Sequence, residues 1–370
     1  MNYTGLIDKY RDALPLAKEA KAISLGEGNT PLIRLHNVPR GLAVELYVKF
    51  EGLNPTGSFK DRGMTMAVTQ AAHAGSRAII CASTGNTSAS AAAYAARGGL
   101  KAFVLIPEGK IAAGKLAQAV MHGAVVIQIQ GNFDDGMRLV KEAAQSVPVT
   151  IVNSINPYRL QGQKTAAFEI VEALGRAPDY HCLPVGNAGN ITAYWMGYSE
   201  ASGQDTAAHT LAKGQRKYAV TPTVKARPKM LGYQAAGSAP FMRGGKVDQP
   251  ETVATAIRIG DPQSWTPAWS AQKESGGWFG EFADDEILAT QKMLAEQEGV
   301  FCEPASAISL AGALREIRAG KIAKGSVVVC TLTGHGLKDP DVATRSGLKG
   351  VIPVQAERAA VEQALRERLG

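Results

Sequence analysis

Short apolar runs alternate with helical patterns along most of the chain, and this alternation limits its possible folds more than any other feature. Strands that alternate with helices form βαβ units and a mainly parallel sheet. The predicted strands are Ala78–Ala82, Lys101–Ile106, Ala124–Ile129, Val149–Val152, Tyr180–Val185 and Val327–Leu332.

Helical patterns follow these strands and return towards the end of the chain. The predicted helices are Thr87–Arg97, Ala112–His122, Phe133–Ser146, Leu160–Leu174, Asn190–Ser199, Asp284–Glu298 and Pro304–Arg318. Two stretches lack this pattern. We interpret the basic stretch 200–229 as a surface insertion and the aromatic-rich stretch 261–280 as an irregular packed loop. The sequence therefore predicts an α/β fold of mainly parallel twisted sheets flanked by helices.

Charge and length limit the possible function classes. The 370 residues are enough for two domains of ordinary size. The formal net charge of +7 is compatible with nucleic-acid binding. However, residues 200–229 hold six basic and two acidic side chains, which is +4 of that total. The charge is thus concentrated in one stretch, and we expect no nucleic-acid partner.

The sequence also predicts the compartment. The N-terminal residues contain no uninterrupted apolar core of the kind found in signal peptides, and no window offers about 18 apolar residues for a membrane span. The four cysteines lie in or beside apolar runs, without metal-ligand spacing. We expect a cytoplasmic protein that has neither a membrane segment nor a metal site.

One glycine-rich motif has nearly the spacing of a nucleotide-binding P-loop. Residues 109–115 fit that pattern after a predicted strand, but Leu116 follows where a P-loop needs Ser or Thr for magnesium. No apolar strand ending in Asp is available to hold the ion. We therefore reject an NTPase.

A second motif surrounds Lys60. Residues 57–63, Gly-Ser-Phe-Lys-Asp-Arg-Gly, lead into a predicted helix for which Ser58 is a plausible N-cap. Lys60 would then lie in the first turn, where the helix dipole disfavours an ammonium. A lysine with a lowered pKa is what Schiff-base chemistry needs, although an ordinary solvated lysine also fits the motif.

Three further loops follow predicted strands, at the sheet edge where α/β proteins bind ligands. Residues 83–88 place hydroxyls and an amide before a helix, as an anion site or a plain capping loop would. Residues 186–190 offer two glycines, for a phosphate or for a tight turn. Residues 331–340 place a hydroxyl and His335 after the last strand, and this histidine alone is more typical of a structural role.

Together, and in this order, the motifs resemble the type II family of pyridoxal phosphate (PLP) enzymes from about Leu25 to Asp341. Residues 54–63 and 333–340 are most similar to the threonine synthases of the shorter bacterial type. Dehydratases of the family have a Ser-Gly-Gly-Asn pattern where this chain has Thr-Gly-His-Gly at 333–336. The stretch 200–229 is longer than the connection found in the family.

The resemblance implies a PLP site. Lys60 would form the Schiff base, Asn86 would hydrogen-bond the ring phenolate oxygen, and Thr333 would face the pyridine nitrogen. A neutral hydroxyl at that nitrogen makes the ring a weaker electron sink, which suits elimination and replacement. The residues implied for the cofactor phosphate are Gly186, Asn187, Ala188, Gly189 and Asn190.

The resemblance further implies the conversion of O-phospho-L-homoserine and water into L-threonine and phosphate. The residues implied for the substrate carboxylate are Ser83, Thr84, Asn86 and Thr87. Those implied for its phosphate are Asn153, Ser154 and Arg159, with Asn187. Judged from the residues alone, Arg159 fits a surface salt bridge equally well.

The resemblance implies a homodimer of two-domain chains, with a smaller domain at 51–156 and a larger one formed by 1–50 and 157–370. Two alternatives stay open. One is a PLP-dependent threonine or serine dehydratase. The other, from a different class, is a non-enzymatic anion or nucleic-acid binder that uses the stretch 200–229.

Overall fold

The computed structural model describes residues 2–83, 85–108, 113–131, 133–340 and 351–369. Within these ranges the chain forms two sheets, with helices packed against both. The predicted α/β class is confirmed, because every strand pairing between consecutive neighbours is parallel except the first pair of the larger sheet.

The larger sheet has the strand order β1-β2-β10-β7-β8-β9. Strand β10, the last strand in the described residues, lies in the interior of this sheet, paired with β2 on one side and β7 on the other. Its strands are β1 Leu32–Arg34, β2 Glu45–Phe50, β7 Tyr180–Pro184, β8 Lys229–Ala235, β9 Trp278–Phe282 and β10 Val327–Leu332.

The smaller sheet has the order β5-β4-β3-β6 and is parallel throughout. All four strands come from the range 51–156 that the sequence analysis assigns to the smaller domain. The division into domains itself stays a prediction. The strands are β3 Ala78–Ala82, β4 Lys101–Pro107, β5 Val125–Ile129 and β6 Val149–Ile151.

The helices of the described ranges are numbered α1 to α13 in chain order. They are α1 Leu6–Lys9, α2 Lys60–His73, α3 Asn86–Gly98, α4 Ala113–Met121, α5 Phe133–Ser146, α6 Pro157–Gln163, α7 Thr165–Leu174, α8 Gly189–Ala201, α9 Pro240–Arg243, α10 Trp265–Ser275, α11 Asp284–Glu298, α12 Pro304–Arg318 and α13 Arg358–Leu369. In the described ranges no helix has the length and apolar character needed to cross a membrane.

Two of the predicted segments are wrong. The helix predicted over 160–174 is two helices, α6 and α7, that meet at Lys164. Helix α6 packs closely on α2, and a Cβ atom at Gly162 would clash with the main-chain oxygen of Arg62. The stretch 261–280 is packed as expected but not irregular, since it contains α10 and most of β9.

The stretch 200–229 follows α8 and is largely without regular structure, yet it packs against the rest of the molecule. Ala208 and Leu211 are buried, and Val220 and Val224 pack against a cluster that includes Leu6 of α1. The stretch therefore covers the N-terminal segment. Its status as an insertion stays a prediction.

Candidate active site

Lys60 is the first residue of α2, so its predicted position in the first helical turn is confirmed. The Ser58 hydroxyl accepts a hydrogen bond from the Lys60 amide at 3.4 Å, but Phe59 is the residue that precedes the helix. The amide of Phe59 donates to the main-chain oxygen of Thr333 at 2.9 Å. This bond joins the lysine motif to the loop after β10.

The environment of Lys60 favours a neutral amine. Burial, the largest effect, and the nearby Arg159 cation lower the pKa of Lys60, the carboxylate of Glu303 opposes both, and the resulting pKa is about 7. The amine lies 4.4 Å from the centre of the Phe59 ring. A substantial fraction of Lys60 is therefore uncharged near neutral pH and able to act as a nucleophile or a base.

Asp61, next to Lys60, fixes the loop that carries the lysine. Its buried carboxylate accepts hydrogen bonds from the amide and the hydroxyl of Thr56, at 2.7 and 2.6 Å, and from Ser90 of α3 at 2.6 Å. Burial raises the pKa of Asp61 to about 6. These bonds hold the 54–59 loop against α2 and α3.

Asn86, within the motif at residues 83–88, is the first residue of α3. Its side-chain nitrogen donates to a carboxylate oxygen of Glu303 at 3.1 Å. Its side-chain oxygen is buried without a hydrogen-bond partner among the described residues. Ser83 and Thr87 lie half-buried on either side, and Thr84 lies outside the described residues.

Glu303 is a buried carboxylate that the sequence analysis missed. It precedes Pro304 at the start of α12, and one of its oxygens lies 3.3 Å from the Thr333 hydroxyl. The Thr333 hydroxyl also contacts that of Ser306 at 2.9 Å. Glu303 thus contacts both Asn86 and Thr333. A Glu-Pro pair at a helix start is common, so the sequence carries no signal for this role.

The loop 186–190 connects β7 to α8. Ala188 adopts the left-handed conformation, with φ 61°, immediately before the helix. A Cβ atom at Gly186 would lie 3.1 Å from Cα of Ile257, so a larger residue would crowd the backbone behind the loop. The Asn190 side-chain nitrogen is buried without a partner in the described part of the chain. The loop therefore leaves a buried donor and a helix N-terminus available to an anion.

Arg159 lies buried in α6, so the expected alternative of a surface salt bridge is wrong. One terminal nitrogen donates to the main-chain oxygen of Val152 at 3.1 Å. Nε and the other terminal nitrogen have no hydrogen-bond partner among the residues that the structure describes. Burial lowers the pKa of Arg159 to about 10, which leaves it charged at neutral pH. A buried cation with two unused donors is suited to a phosphate or carboxylate.

The other three residues predicted for the substrate phosphate, Asn153, Ser154 and Asn187, differ from Arg159. The side-chain amide of Asn153 forms two hydrogen bonds with the main chain of Ala82, at the end of β3. Its oxygen accepts from the Ala82 nitrogen at 3.1 Å, and its nitrogen donates to the Ala82 oxygen at 2.9 Å. Ser154 is half-buried. Asn187 is engaged by its neighbours, since its main-chain oxygen accepts from the Ser264 amide at 3.1 Å.

Beneath Lys60, a buried ionic network supports α2. Arg62 binds Glu51 through two nitrogens, at 2.6 and 2.8 Å, and binds Glu169 of α7 at 2.8 and 2.7 Å. Lys49 of β2 also binds Glu169, at 2.6 Å. Two cations balance two carboxylates, so the network is neutral. It joins the lysine-bearing helix to the larger sheet.

Two basic side chains of the stretch 200–229 make contacts within the protein. Arg216 pairs with Asp205 at 3.1 Å, and the Arg227 guanidinium lies 4.3 Å from the centre of the Trp195 ring.

In the described ranges, no three His, Cys, Asp or Glu side chains are arranged to hold a metal ion. Residues 109–112 of the P-loop-like motif lie outside the described residues.

Comparison with solved structures gives the fold. The chain superimposes on maize serine racemase with a TM-score of 0.71 at 19% identity, covering 99% of this chain and 98% of that one. It superimposes on O-ureido-L-serine synthase with a TM-score of 0.70 at 18% identity, covering 93% and 99%.

Comparison with protein families and sequences goes further. A family model described as "Pyridoxal-phosphate dependent enzyme" matches residues 23–334. A threonine synthase of Synechocystis is 55% identical over 93% of this chain and 86% of the relative. One of Mycobacterium bovis is 55% identical over 98% and 96%, and one of Methanocaldococcus jannaschii is 47% identical over 97% and 87%. The chain therefore belongs to the pyridoxal-phosphate-dependent enzymes and, among them, to the threonine synthase family.

Proposed function

We propose that this chain converts O-phospho-L-homoserine and water into L-threonine and phosphate. The observation that carries the proposal is that one site contains both Lys60, whose pKa is lowered, and Arg159, a buried arginine with two donors that have no partner in the described residues. A lysine of this kind suits bonding to a cofactor aldehyde and proton transfer. The arginine suits a phosphorylated substrate. Membership of the threonine synthase family supports the same reaction.

The residues present fit PLP. The unused oxygen of Asn86 and the unused nitrogen of Asn190 are buried polar atoms that a polar ligand would satisfy. In this assignment Lys60 would hold the cofactor covalently, Asn86 would bond its ring, and residues 186–190 would hold its phosphate at the N-terminus of α8. The Thr333 hydroxyl would serve the ring nitrogen. PLP, when bound, supplies the electron sink that stabilises negative charge on a substrate carbon.

We assign the substrate groups to two sides of Lys60. The carboxylate would be bound by Ser83, Thr84, Asn86 and Thr87, near the start of α3. Arg159 would bind the substrate phosphate, with Ser154 and Asn187. We assign Asn153 to the same subsite. Because its side chain is bonded to Ala82, we expect it to orient the loop after β6 rather than to bind the phosphate directly.

Lys60 then acts as the base. Its neutral amine would take the proton from Cα of the substrate and, once that proton has been passed on, a proton from Cβ. One proton would then be delivered to Cγ, which becomes the methyl group after phosphate leaves, and one would return to Cα. Water would add its hydroxyl at Cβ, and its remaining proton would go to the released phosphate. Arg159 would stabilise the charge on the phosphate as it leaves Cγ. The position of Lys60 beside both Arg159 and Glu303 supports such repeated proton transfer, because the two charges oppose one another in setting its pKa.

We also propose that this site lies in a cleft between a domain at 51–156 and one formed by 1–50 and 157–370. The assembly implied by the resemblance is a homodimer, and the compartment predicted from the sequence is the cytoplasm. Light scattering coupled to size exclusion would test the dimer.

Two product assays test the function. We expect the purified chain, loaded with PLP, to release phosphate from O-phospho-L-homoserine and to form an equal amount of threonine. Lys60→Ala should lose both threonine formation and the absorbance of lysine-bound cofactor. Release of 2-oxobutanoate from threonine, without phosphate release, would instead identify a dehydratase. Salt-sensitive nucleic-acid binding without cofactor absorbance would favour the non-enzymatic alternative.

A further inference from the structure

The loop after β10 ends in two residues, Lys338 and Asp339, that the proposed function does not use. The Lys338 ammonium donates to the main-chain oxygen of Thr56 at 3.0 Å and to the side-chain oxygen of Gln118 at 2.6 Å. Thr56 belongs to the loop that carries Lys60, and Gln118 lies on α4, a helix of the smaller sheet. One side chain from the loop after β10 thus contacts both.

The contact of Lys338 with Thr56 and Gln118 is part of a larger hydrogen-bonded cluster. The Gln118 side-chain nitrogen lies 3.4 Å from the same Thr56 oxygen, so the three groups share one hydrogen-bonded cluster. Lys338 is only partly exposed, and Thr56 is buried. Asp61 fixes Thr56 from below through the bonds described above. Because the ammonium is charged, its bonds are stronger than those between neutral groups.

Asp339, the next residue, contacts a different part of the site. Its carboxylate accepts from the Thr255 hydroxyl at 2.7 Å. Thr255 begins the helical turn Thr255–Ile257, whose Ile257 lies directly behind Gly186. The two neighbouring residues therefore connect the lysine loop and α4 on one side with the support of the glycine loop on the other.

From this geometry we propose that Lys338 is a positioning residue that holds α4 and the 54–59 loop in the arrangement needed to bind substrate. The inference rests on the proposed function and deepens it. Lys338 acts through Thr56 and Gln118 and contacts no reacting atom. Its loss should loosen α4, which packs on α3, the helix that carries Asn86 and Thr87, while Lys60 keeps its own chemistry. The effect should therefore appear in KM more than in kcat.

The kinetic test compares Lys338→Met with Lys338→Arg in the PLP-loaded enzyme. Methionine keeps the length and apolar stem but removes the donor. We expect KM for O-phospho-L-homoserine to rise about tenfold, the equivalent of one charged hydrogen bond, with kcat within about twofold. Lys338→Arg should restore most of the loss. The exposed Lys324, changed to Met, is the matched control and should leave both constants unchanged.

A second measurement does not depend on activity. We expect Lys338→Met to speed hydrogen exchange at the amides of α4 in the cofactor-free chain, while α11 keeps its wild-type exchange. Gln118→Met should have the same effect, and the double variant should add little to either single one, because all three break one contact. Gln118→Met also serves if Lys338→Met does not fold.

Three results would overturn the inference. They are unchanged KM and α4 exchange in both single variants, additive effects in the double variant, or a fall in kcat with KM unchanged. A wild-type chain that releases no phosphate from O-phospho-L-homoserine would refute the proposed function instead. The exchange measurement would still decide the role of Lys338 in that case.

Discussion

Replacing Arg159 by methionine should stabilise the cofactor-free protein while it disables the enzyme. In the absence of ligand, two buried Arg159 nitrogens lack a hydrogen-bond partner in the described part of the chain. Each such group costs about 1–3 kcal/mol. The substitution removes both, but it also leaves the main-chain oxygen of Val152 without its donor, which costs a similar amount for one group. We therefore expect a net gain of about 1–3 kcal/mol in the free energy of unfolding.

The same substitution should have the opposite effect on catalysis. Two charged hydrogen bonds to the substrate phosphate would contribute about 1.5–3 kcal/mol each. Their loss should lower kcat/KM by a factor of about 10² to 10⁴. Inorganic phosphate should protect the wild-type protein against urea and should protect Arg159→Met much less.

Urea unfolding of the cofactor-free chains, with and without inorganic phosphate, measures the first and third effects. Arg138→Met is the matched control, because Arg138 is exposed and pairs with Glu142 on the same helix at 3.0 Å. Such pairs contribute about 0–1 kcal/mol. If Arg159→Met lost several kcal/mol of stability and retained kcat/KM, Arg159 would be a structural residue and the phosphate assignment would fail.

Three further predictions follow from the same contacts. Labelling of Lys60 in the cofactor-free protein should increase as pH rises through about 7, because only the neutral amine reacts; a midpoint near 10 would refute the lowered pKa. Glu303→Gln should lower that midpoint, since it removes the carboxylate that raises the pKa of Lys60, and an upward shift would contradict its placement. Arg62→Met should cost about 3–5 kcal/mol of unfolding free energy, measured in urea, because Glu51 would lose its ion pair and Glu169 would retain only Lys49. A loss below about 1 kcal/mol would show that the network contributes little.

The sequence predicts those parts of the fold in which local pattern and tertiary environment agree. The fully buried strands of the βαβ units are largely apolar runs, and β3 and β10 have the predicted bounds. Strand β2 was not predicted, because Glu45 and Lys49 interrupt its apolar run. Lys49 is tolerated inside because Glu169, 120 residues away, neutralises it. An ion pair between residues so far apart along the chain produces no local sequence pattern from which the strand could be predicted.

The candidate site divides in the same way. Lys60 and the glycine loop at 186–190 can be predicted from local sequence motifs. These are a lysine at a helix start and glycines between a strand and a helix. The role of Arg159 depends on its burial, which the sequence does not reveal. Glu303 depends on where α12 begins relative to α3 and β10, and that alignment exists only in the folded chain.

The strand order of the larger sheet has a consequence for folding during synthesis. The smaller sheet is built from contiguous residues 78–151 and can form as soon as they leave the ribosome. Strand β2 must wait for β10, which lies between it and β7. At about 5–20 residues per second, that delay is roughly 15 to 55 s. Since Glu303 and Thr333 come from the same late segment, the nascent chain cannot complete the proposed cofactor site before residue 333 has been synthesised.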